Sequence, residues 1–176
     1  MILDGGELSP IPQKDILSLI LEEDNGVAED SKLWIDGEDQ KRYLTKSKAR
    51  QLVCQISHGY RRAGLVRDRD SSADVLISFS ENQVIGFAST LAVLAAGGIV
   101  ATCPAQATSR ELETRVTILK PTAVICSKAT VEVAQETLRL TKSPFEIVLQ
   151  DSATMNVCDV QGRSYLSHLE HDWGGL

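Results

Sequence analysis

The sequence has 176 residues, of which 43% are hydrophobic and 24% are charged. This length supports one substantial hydrophobic core, and the balance of apolar and charged residues is typical of a folded domain rather than a disordered chain. The formal net charge of -6 leaves no excess of Lys and Arg to neutralise phosphates, which argues against a nucleic-acid partner.

Membrane insertion, secretion and metal binding by cysteine are also disfavoured. The longest apolar stretch, residues 84–103, contains Gly97 and Gly98, so it favours a helix followed by a strand over a membrane span. The N-terminus has no basic segment followed by an apolar one, so we expect no secretory signal and a cytoplasmic location. The four cysteines, at positions 54, 103, 126 and 158, have no Cys-x-x-Cys spacing, which indicates neither a zinc site nor a redox pair.

The hydrophobic pattern predicts short helices and strands in alternation. In chain order the predicted elements are a short helix within residues 9–23, a hairpin at 33–44, a helix at 46–63, a strand at 75–79, a helix at 83–96, a strand at 99–102, a helix at 108–119, a strand at 122–126, a helix at 128–140 and a strand at 145–149. Thr45 is predicted to cap the first long helix. Glu111 follows Thr108 at the spacing of a capping box.

Strands that alternate with helices predict right-handed crossovers and a mostly parallel sheet. We therefore expect an α/β fold with helices on both faces of the sheet, preceded by a small N-terminal hairpin and helix. Residues 1–176 are predicted to form a single domain, in which residues 153–176 lose periodicity and form an irregular tail. Ligands of such sheets bind at the carboxyl ends of the strands, where the predicted loops are 80–82, 103–107, 127–128 and 150–152.

Five residues of the first two loops are candidate binding residues: Ser80, Asn82, Cys103, Pro104 and Gln106. Capping of the helix at 83–96 also explains Ser80 and Asn82 without a ligand. Burial as a small apolar group also explains Cys103, since no basic residue adjoins it in the sequence to lower the pKa of its thiol.

No catalytic residue and no metal site are predicted. His58, His168 and His171 are the only histidines, and none lies near a Ser or Cys and a carboxylate in the pattern of a catalytic triad. His168 and His171 could hold a metal with Asp172, but no third ligand is assured in this tail. The charged segment 67–74 is expected to be a solvated surface loop.

The predicted elements carry a series of short motifs that resemble a known family. The motifs are Leu44-Thr45 before a helix that ends in Gly64-Leu65, the helix and strand of residues 91–100 with Gly97-Gly98 between them, Pro104, Glu111-Leu112, Leu119-Lys120-Pro121 and Ser127-Lys128. Together, over residues 16–173, they resemble the N-terminal part of the adenylate-forming superfamily of acyl-CoA and aryl-CoA synthetases, luciferases and adenylation domains. The pattern is similar to the 4-coumarate-CoA-ligase-like branch, except that Lys46 replaces the usual aromatic residue.

The resemblance implies a ligase fold without the ligase's ATP site. In the family, ATP and a carboxylate give an acyl-adenylate, which the thiol of CoA then attacks. A Ser/Thr/Gly-rich loop that ends in Pro-Lys-Gly holds the ATP phosphates, and this loop does not occur among the 176 residues. Gly174-Gly175 lacks the Lys and the hydroxyl residues that would follow. We therefore expect a unit truncated before the phosphate loop, with no cofactor of its own and no adenylation activity alone.

Two other functions stay open. One is a stand-alone remnant, in secondary metabolism, that binds a small organic molecule of the acyl or polyketide type and serves as a cyclase or isomerase. The other is an interaction module, whose apolar surface drives formation of a homodimer or docking with the missing ligase portion.

Overall fold

The computed structural model describes residues 14–22, 26–67 and 73–166. Within these ranges the chain forms five helices and seven strands. In chain order they are α1 (Ile16–Leu21), β1 (Lys32–Ile35), β2 (Tyr43–Thr45), α2 (Lys46–Arg62), β3 (Val75–Phe79), α3 (Val84–Ala95), β4 (Ile99–Cys103), α4 (Ser109–Leu119), β5 (Ala123–Cys126), α5 (Val131–Leu140), β6 (Glu146–Asp151) and β7 (Asn156–Asp159).

The main sheet has the strand order β4-β3-β5-β6-β7. β3 pairs in parallel with both β4 and β5, and β6 is parallel to β5, whereas β7 lies antiparallel to β6 at the edge. β1 and β2 form a separate antiparallel hairpin. The predicted α/β fold, with a mostly parallel sheet and an N-terminal hairpin and helix, is confirmed.

Consecutive residues of β3 show that helices cover both faces of the sheet. Leu76 belongs to an apolar cluster that includes Ile56 of α2 and Leu91 of α3. Its neighbour Ile77 belongs to a second cluster, which includes Leu112 of α4. Because successive side chains of a strand point to opposite faces, the two clusters are the two cores of the sheet. α2 and α3 therefore cover one face, and α4 covers the other.

Local and tertiary contacts together fix α2. The side chain of Thr45 accepts a hydrogen bond from the backbone N–H of Lys48 at 3.3 Å and caps the first turn, as predicted. Gly64, with φ of 72°, follows the last turn. Near that end, a Cβ atom added to Gly59 would lie 1.9 Å from the backbone oxygen of Tyr165. The segment that follows β7 therefore packs directly on the backbone of α2.

The segment after residue 152 differs from the predicted irregular tail. Asn156–Asp159 form β7, and the backbone N–H of Tyr165 donates to the carbonyl of Val157 at 2.7 Å. The turn between β6 and β7 contains Met155 at φ of 49°, so it lacks the glycine that usually marks such a turn in a sequence. Residues 156–159 are thus part of the sheet, and the segment that follows is hydrogen-bonded to β7.

Smaller differences concern element ends and the charged segment. α5 begins at Val131 rather than at residue 128, and α1 covers only Ile16–Leu21. Asp74, expected in a solvated loop, is only 7% exposed and accepts a hydrogen bond from the backbone N–H of Arg67 at 2.8 Å. The candidate metal residues at 168, 171 and 172 and the Gly-Gly pair at 174–175 lie outside the described residues. Within the described ranges, no helix is both long enough and apolar enough to cross a bilayer.

Candidate functional site

A cleft of about 910 Å³ lies at the carboxyl ends of β3, β5 and β6 and extends to the β1–β2 hairpin. The chain runs from β3 to β4 on one side of β3 and from β5 to β6 on the other, so the direction of connection reverses between β3 and β5. Open α/β sheets bind ligands in the crevice beside such a point. The cleft therefore occupies the position at which this topology favours a binding site.

Hydrogen bonds join the three strand-end loops that form the floor of the cleft. The backbone N–H of Ser152, after β6, donates to Oε1 of Gln83 at 3.2 Å. Gln83 Nε2 in turn donates to Oε1 of Glu81 at 2.9 Å. The other oxygen of Glu81 accepts a hydrogen bond from the hydroxyl of Ser127, after β5. Glu81 thus connects the loops of β3 and β5, and Gln83 connects the loops of β3 and β6.

The start of α3 depends on this network rather than on the predicted caps. Its N-cap residue is Gln83, whose side chain makes no capping hydrogen bond. Ser152 Oγ, from the loop after β6, accepts instead from the backbone N–H of Ile85 at 3.0 Å. The predicted capping by Ser80 and Asn82 is therefore wrong, because a side chain 67 residues away in the chain satisfies this N–H. Both residues nevertheless line the cleft.

Gln150 is the most unusual group in the wall of the cleft. Its side chain is 2% exposed, and its Nε2 donates to the hydroxyl oxygen of Ser80 at 2.6 Å. Its Oε1 has no hydrogen-bond partner among the described residues. A buried acceptor without a partner costs about 1–3 kcal/mol, so such groups are rare in folded proteins.

The charges that line the cleft are mostly negative. They comprise four carboxylates and two basic side chains: Asp36, Glu38, Glu81, Asp151, Arg42 and Lys128. Lys128 Nζ lies 3.3 Å from Oδ2 of Asp151. The backbone N–H of Ala153 lowers the pKa of Asp151, and Lys128 contributes to the same shift although partial burial opposes it. The lowered pKa keeps Asp151 ionised at neutral pH, and the excess of acidic over basic side chains in the lining disfavours anionic ligands.

An aromatic pair forms the apolar wall of the cleft. The rings of Trp34, in β1, and Phe87, in α3, stack with their centroids 4.5 Å apart and an interplanar angle of 30°. Phe87 remains 38% exposed. The pair ties the hairpin to α3, and it offers the cleft an aromatic surface suited to an apolar ligand body.

The remaining sequence candidates lie elsewhere. Pro104 and Gln106 are exposed and line a separate depression of about 520 Å³ beside α4. Cys103 is 4% exposed, and burial raises the pKa of its thiol although the guanidinium of Arg115 partly offsets the effect. No basic residue adjoins Cys103 in the sequence, but in the fold Arg115 of α4 approaches it. Among the described residues, no group of three or more His, Cys, Asp or Glu side chains could hold a metal.

Sequence reasoning placed residues 150–152 at the ligand edge but did not single out Gln150. The signal available in the sequence was an amide side chain directly after the apolar run Ile147-Val148-Leu149. That position gave no sign of burial, because the sequence predicted the strand to end at residue 149, whereas β6 continues to Asp151.

Comparisons with known proteins identify the fold. No family model and no curated protein sequence matches the chain. Among solved structures, a red-emitting luciferase from Phrixothrix hirtus matches 66% of this chain and 21% of its own, at 21% identity and a TM-score of 0.58. A benzoate CoA ligase from Burkholderia xenovorans matches 71% of this chain and 24% of its own, at 15% identity and a TM-score of 0.61.

A third similar structure extends the match. MatB from Rhodopseudomonas palustris covers 85% of this chain and 26% of its own, at 15% identity and a TM-score of 0.61. The chain thus spans about a quarter or less of each of these three enzymes. The neighbours are adenylate-forming enzymes, whereas the 4-coumarate-CoA-ligase-like branch stays a prediction. The described residues therefore have the fold of a part of these three enzymes.

Proposed function

We propose that the chain is a small-molecule-binding unit of the acyl-CoA-ligase fold that does not adenylate a carboxylate by itself. The acidic cleft at the carboxyl ends of the strands is the observation that carries this proposal. It has the position and the size of a ligand site, yet its lining contains twice as many carboxylates as basic side chains.

An enzyme that adenylates a carboxylate stabilises the negative charge on the phosphoryl oxygens with positioned cations and amide N–H groups. The carboxylates of Glu81 and Asp151 in the cleft oppose a triphosphate instead. The sequence also contains no Pro-Lys-Gly loop. Both features support a function in binding an organic molecule rather than in adenylation.

The test is ATP–pyrophosphate exchange by the purified 176-residue protein, supplied with Mg²⁺ and a panel of aryl and acyl carboxylic acids. We expect no exchange above the rate without protein, while an intact benzoate CoA ligase provides the positive control. Exchange that depends on both the acid and the protein would refute the proposal. In that case a phosphate site would have to exist within the chain.

A dimeric interaction module is a second candidate. Ile118 of α4 is 73% exposed, and Ile99 of β4, the strand at one edge of the main sheet, is 50% exposed. Exposed apolar side chains beside an open strand edge favour association. Light scattering at micromolar concentration should then give a dimer mass that Ile118→Glu reduces to the monomer mass. A monomer mass for the unmodified protein would exclude this candidate.

A further inference from the structure

We propose that the cleft recognises an uncharged or cationic hydrogen-bond donor, such as a hydroxyl or a protonated amine on an aromatic body, and that Gln150 Oε1 is the acceptor. This inference rests on the proposed binding role of the cleft and specifies the chemistry of its ligand. It excludes a carboxylate or phosphate as the group that Gln150 contacts.

The amide of Gln150 is held in place rather than free to turn towards water. Its Nε2 is bonded to Ser80 Oγ at 2.6 Å, and a Cβ added to Gly86 of α3 would lie 3.4 Å from the same nitrogen. The side chain is 2% exposed. Gln150 lines the cleft and its Oε1 has no partner among the described residues, so a donor on a ligand in the cleft is the group that we propose to complete its hydrogen bonding.

The charge of the cleft selects which donors are favoured. A carbonyl oxygen repels carboxylate and phosphate oxygens, since both atoms carry lone pairs and no proton lies between them. Glu81 and Asp151 line the same cleft and add to this repulsion. A hydroxyl group or an ammonium group supplies the missing proton, and an ammonium is also attracted by the surrounding carboxylates.

The aromatic wall indicates the body that carries the donor. Trp34 and Phe87 line the same cleft as Gln150, with their ring centroids 4.5 Å apart. A flat apolar ring packs well on such a surface. The volume of about 910 Å³ falls within the range of small-molecule sites, so it accommodates a ring and its polar substituent together.

Four compounds that share one ring and differ in one substituent test the inference: benzyl alcohol, benzylamine, toluene and benzoate. Each is titrated into ¹⁵N-labelled protein, and the shift of the indole N–H of Trp34 reports binding in the cleft. We expect benzyl alcohol and benzylamine to bind about fivefold more tightly than toluene, because they can donate a hydrogen bond to Oε1 and toluene cannot. Benzoate should bind most weakly of the four.

The variant Gln150→Met keeps the length of the side chain and removes the acceptor. It should abolish the preference for benzyl alcohol over toluene. Gln51→Met, the same substitution at an exposed site of α2, should retain that preference. If only Gln150→Met loses the preference, the loss is due to removal of Oε1 from the cleft and not to a general effect of replacing Gln by Met.

The possible outcomes separate this inference from the proposed function. Binding in the cleft without a donor preference, or a preference that persists in Gln150→Met, would overturn the inference alone. A preference for benzoate that Gln150→Met removes would show that the amide presents Nε2, and it would also overturn the inference. If no compound shifts the Trp34 signal, both the inference and the proposed binding role fail.

Discussion

Replacement of Gln150 by Met should stabilise the protein in the absence of a ligand. Gln150 Oε1 is buried without a partner among the described residues, so the folded state bears the cost of its lost hydration. Methionine has a similar length and no such acceptor. The substitution therefore removes an unfavourable term from the folded state while it leaves the packing volume nearly unchanged.

The magnitude follows from two opposing contributions. Removal of the unpaired Oε1 should gain about 1–3 kcal/mol of unfolding free energy. Loss of the hydrogen bond from Nε2 to Ser80 Oγ should cost about 1 kcal/mol, and because Ser80 is only half-buried, water can replace part of that bond. The net expectation is a gain of about 1 kcal/mol. For a chain of this size it corresponds to a rise in Tm of roughly 2–4 °C.

Urea denaturation at equilibrium, followed by circular dichroism, measures the free energy of unfolding, and calorimetry measures Tm. Gln51→Met on the exposed side of α2 serves as the control, which should change the unfolding free energy by less than about 0.5 kcal/mol. A clear fall in Tm for Gln150→Met would refute the reasoning. It would mean that Oε1 already has a bound partner, such as a water molecule, in the ligand-free protein.

Two further predictions concern parts of the fold that lie away from the cleft. Gly59→Ala should lower the unfolding free energy by about 1–3 kcal/mol, because the added Cβ would lie 1.9 Å from the backbone oxygen of Tyr165. Urea denaturation measures this change. An unchanged unfolding free energy would show that the contact is absent in solution. Hydrogen bonds from the backbone N–H and the hydroxyl of Thr108 lower the pKa of Glu111 below its usual value of 4.5. The ionised carboxylate of Glu111 therefore stabilises the folded state above pH 4.5, and this stabilisation is lost as the pH falls through the lowered pKa of the folded state. Acid unfolding below pH 4.5 should accordingly depend less steeply on pH in Glu111→Gln than in the unmodified protein, and equal slopes would contradict the assignment.

Most of the fold was predictable because its elements follow local rules. The strand Val75–Phe79 coincides with its prediction, and the capping box of Thr108 and Glu111 forms as the spacing indicates. β7 was missed for a physical reason. It has only four residues. In the turn before it, Met155 takes the left-handed conformation, so the sequence lacks the glycine from which a hairpin is usually predicted.

The candidate site was predictable only as an edge of the sheet. Parallel strands bring their carboxyl ends together, which correctly placed Ser80 and Asn82 beside residues 150–152. The same rule grouped Pro104 and Gln106 with them, but β4 is the edge strand and its loop opens into a different depression. Which loops share a cleft depends on strand order, and the local hydrophobic pattern of the sequence does not reveal that order.

The unpaired amide and the acidic lining constrain function more strongly together than either does alone. An acidic cleft by itself is consistent with a solvated surface, and a buried Gln by itself is consistent with a structural role. Gln150, however, lines the same cleft as Glu81 and Asp151, whose carboxylates already accept hydrogen bonds within the protein. Gln150 Oε1 is therefore the acceptor that a ligand is left to satisfy, and the surrounding negative charge favours a neutral or cationic donor over an anion. This combination supports the proposal that the cleft binds an organic donor rather than a triphosphate.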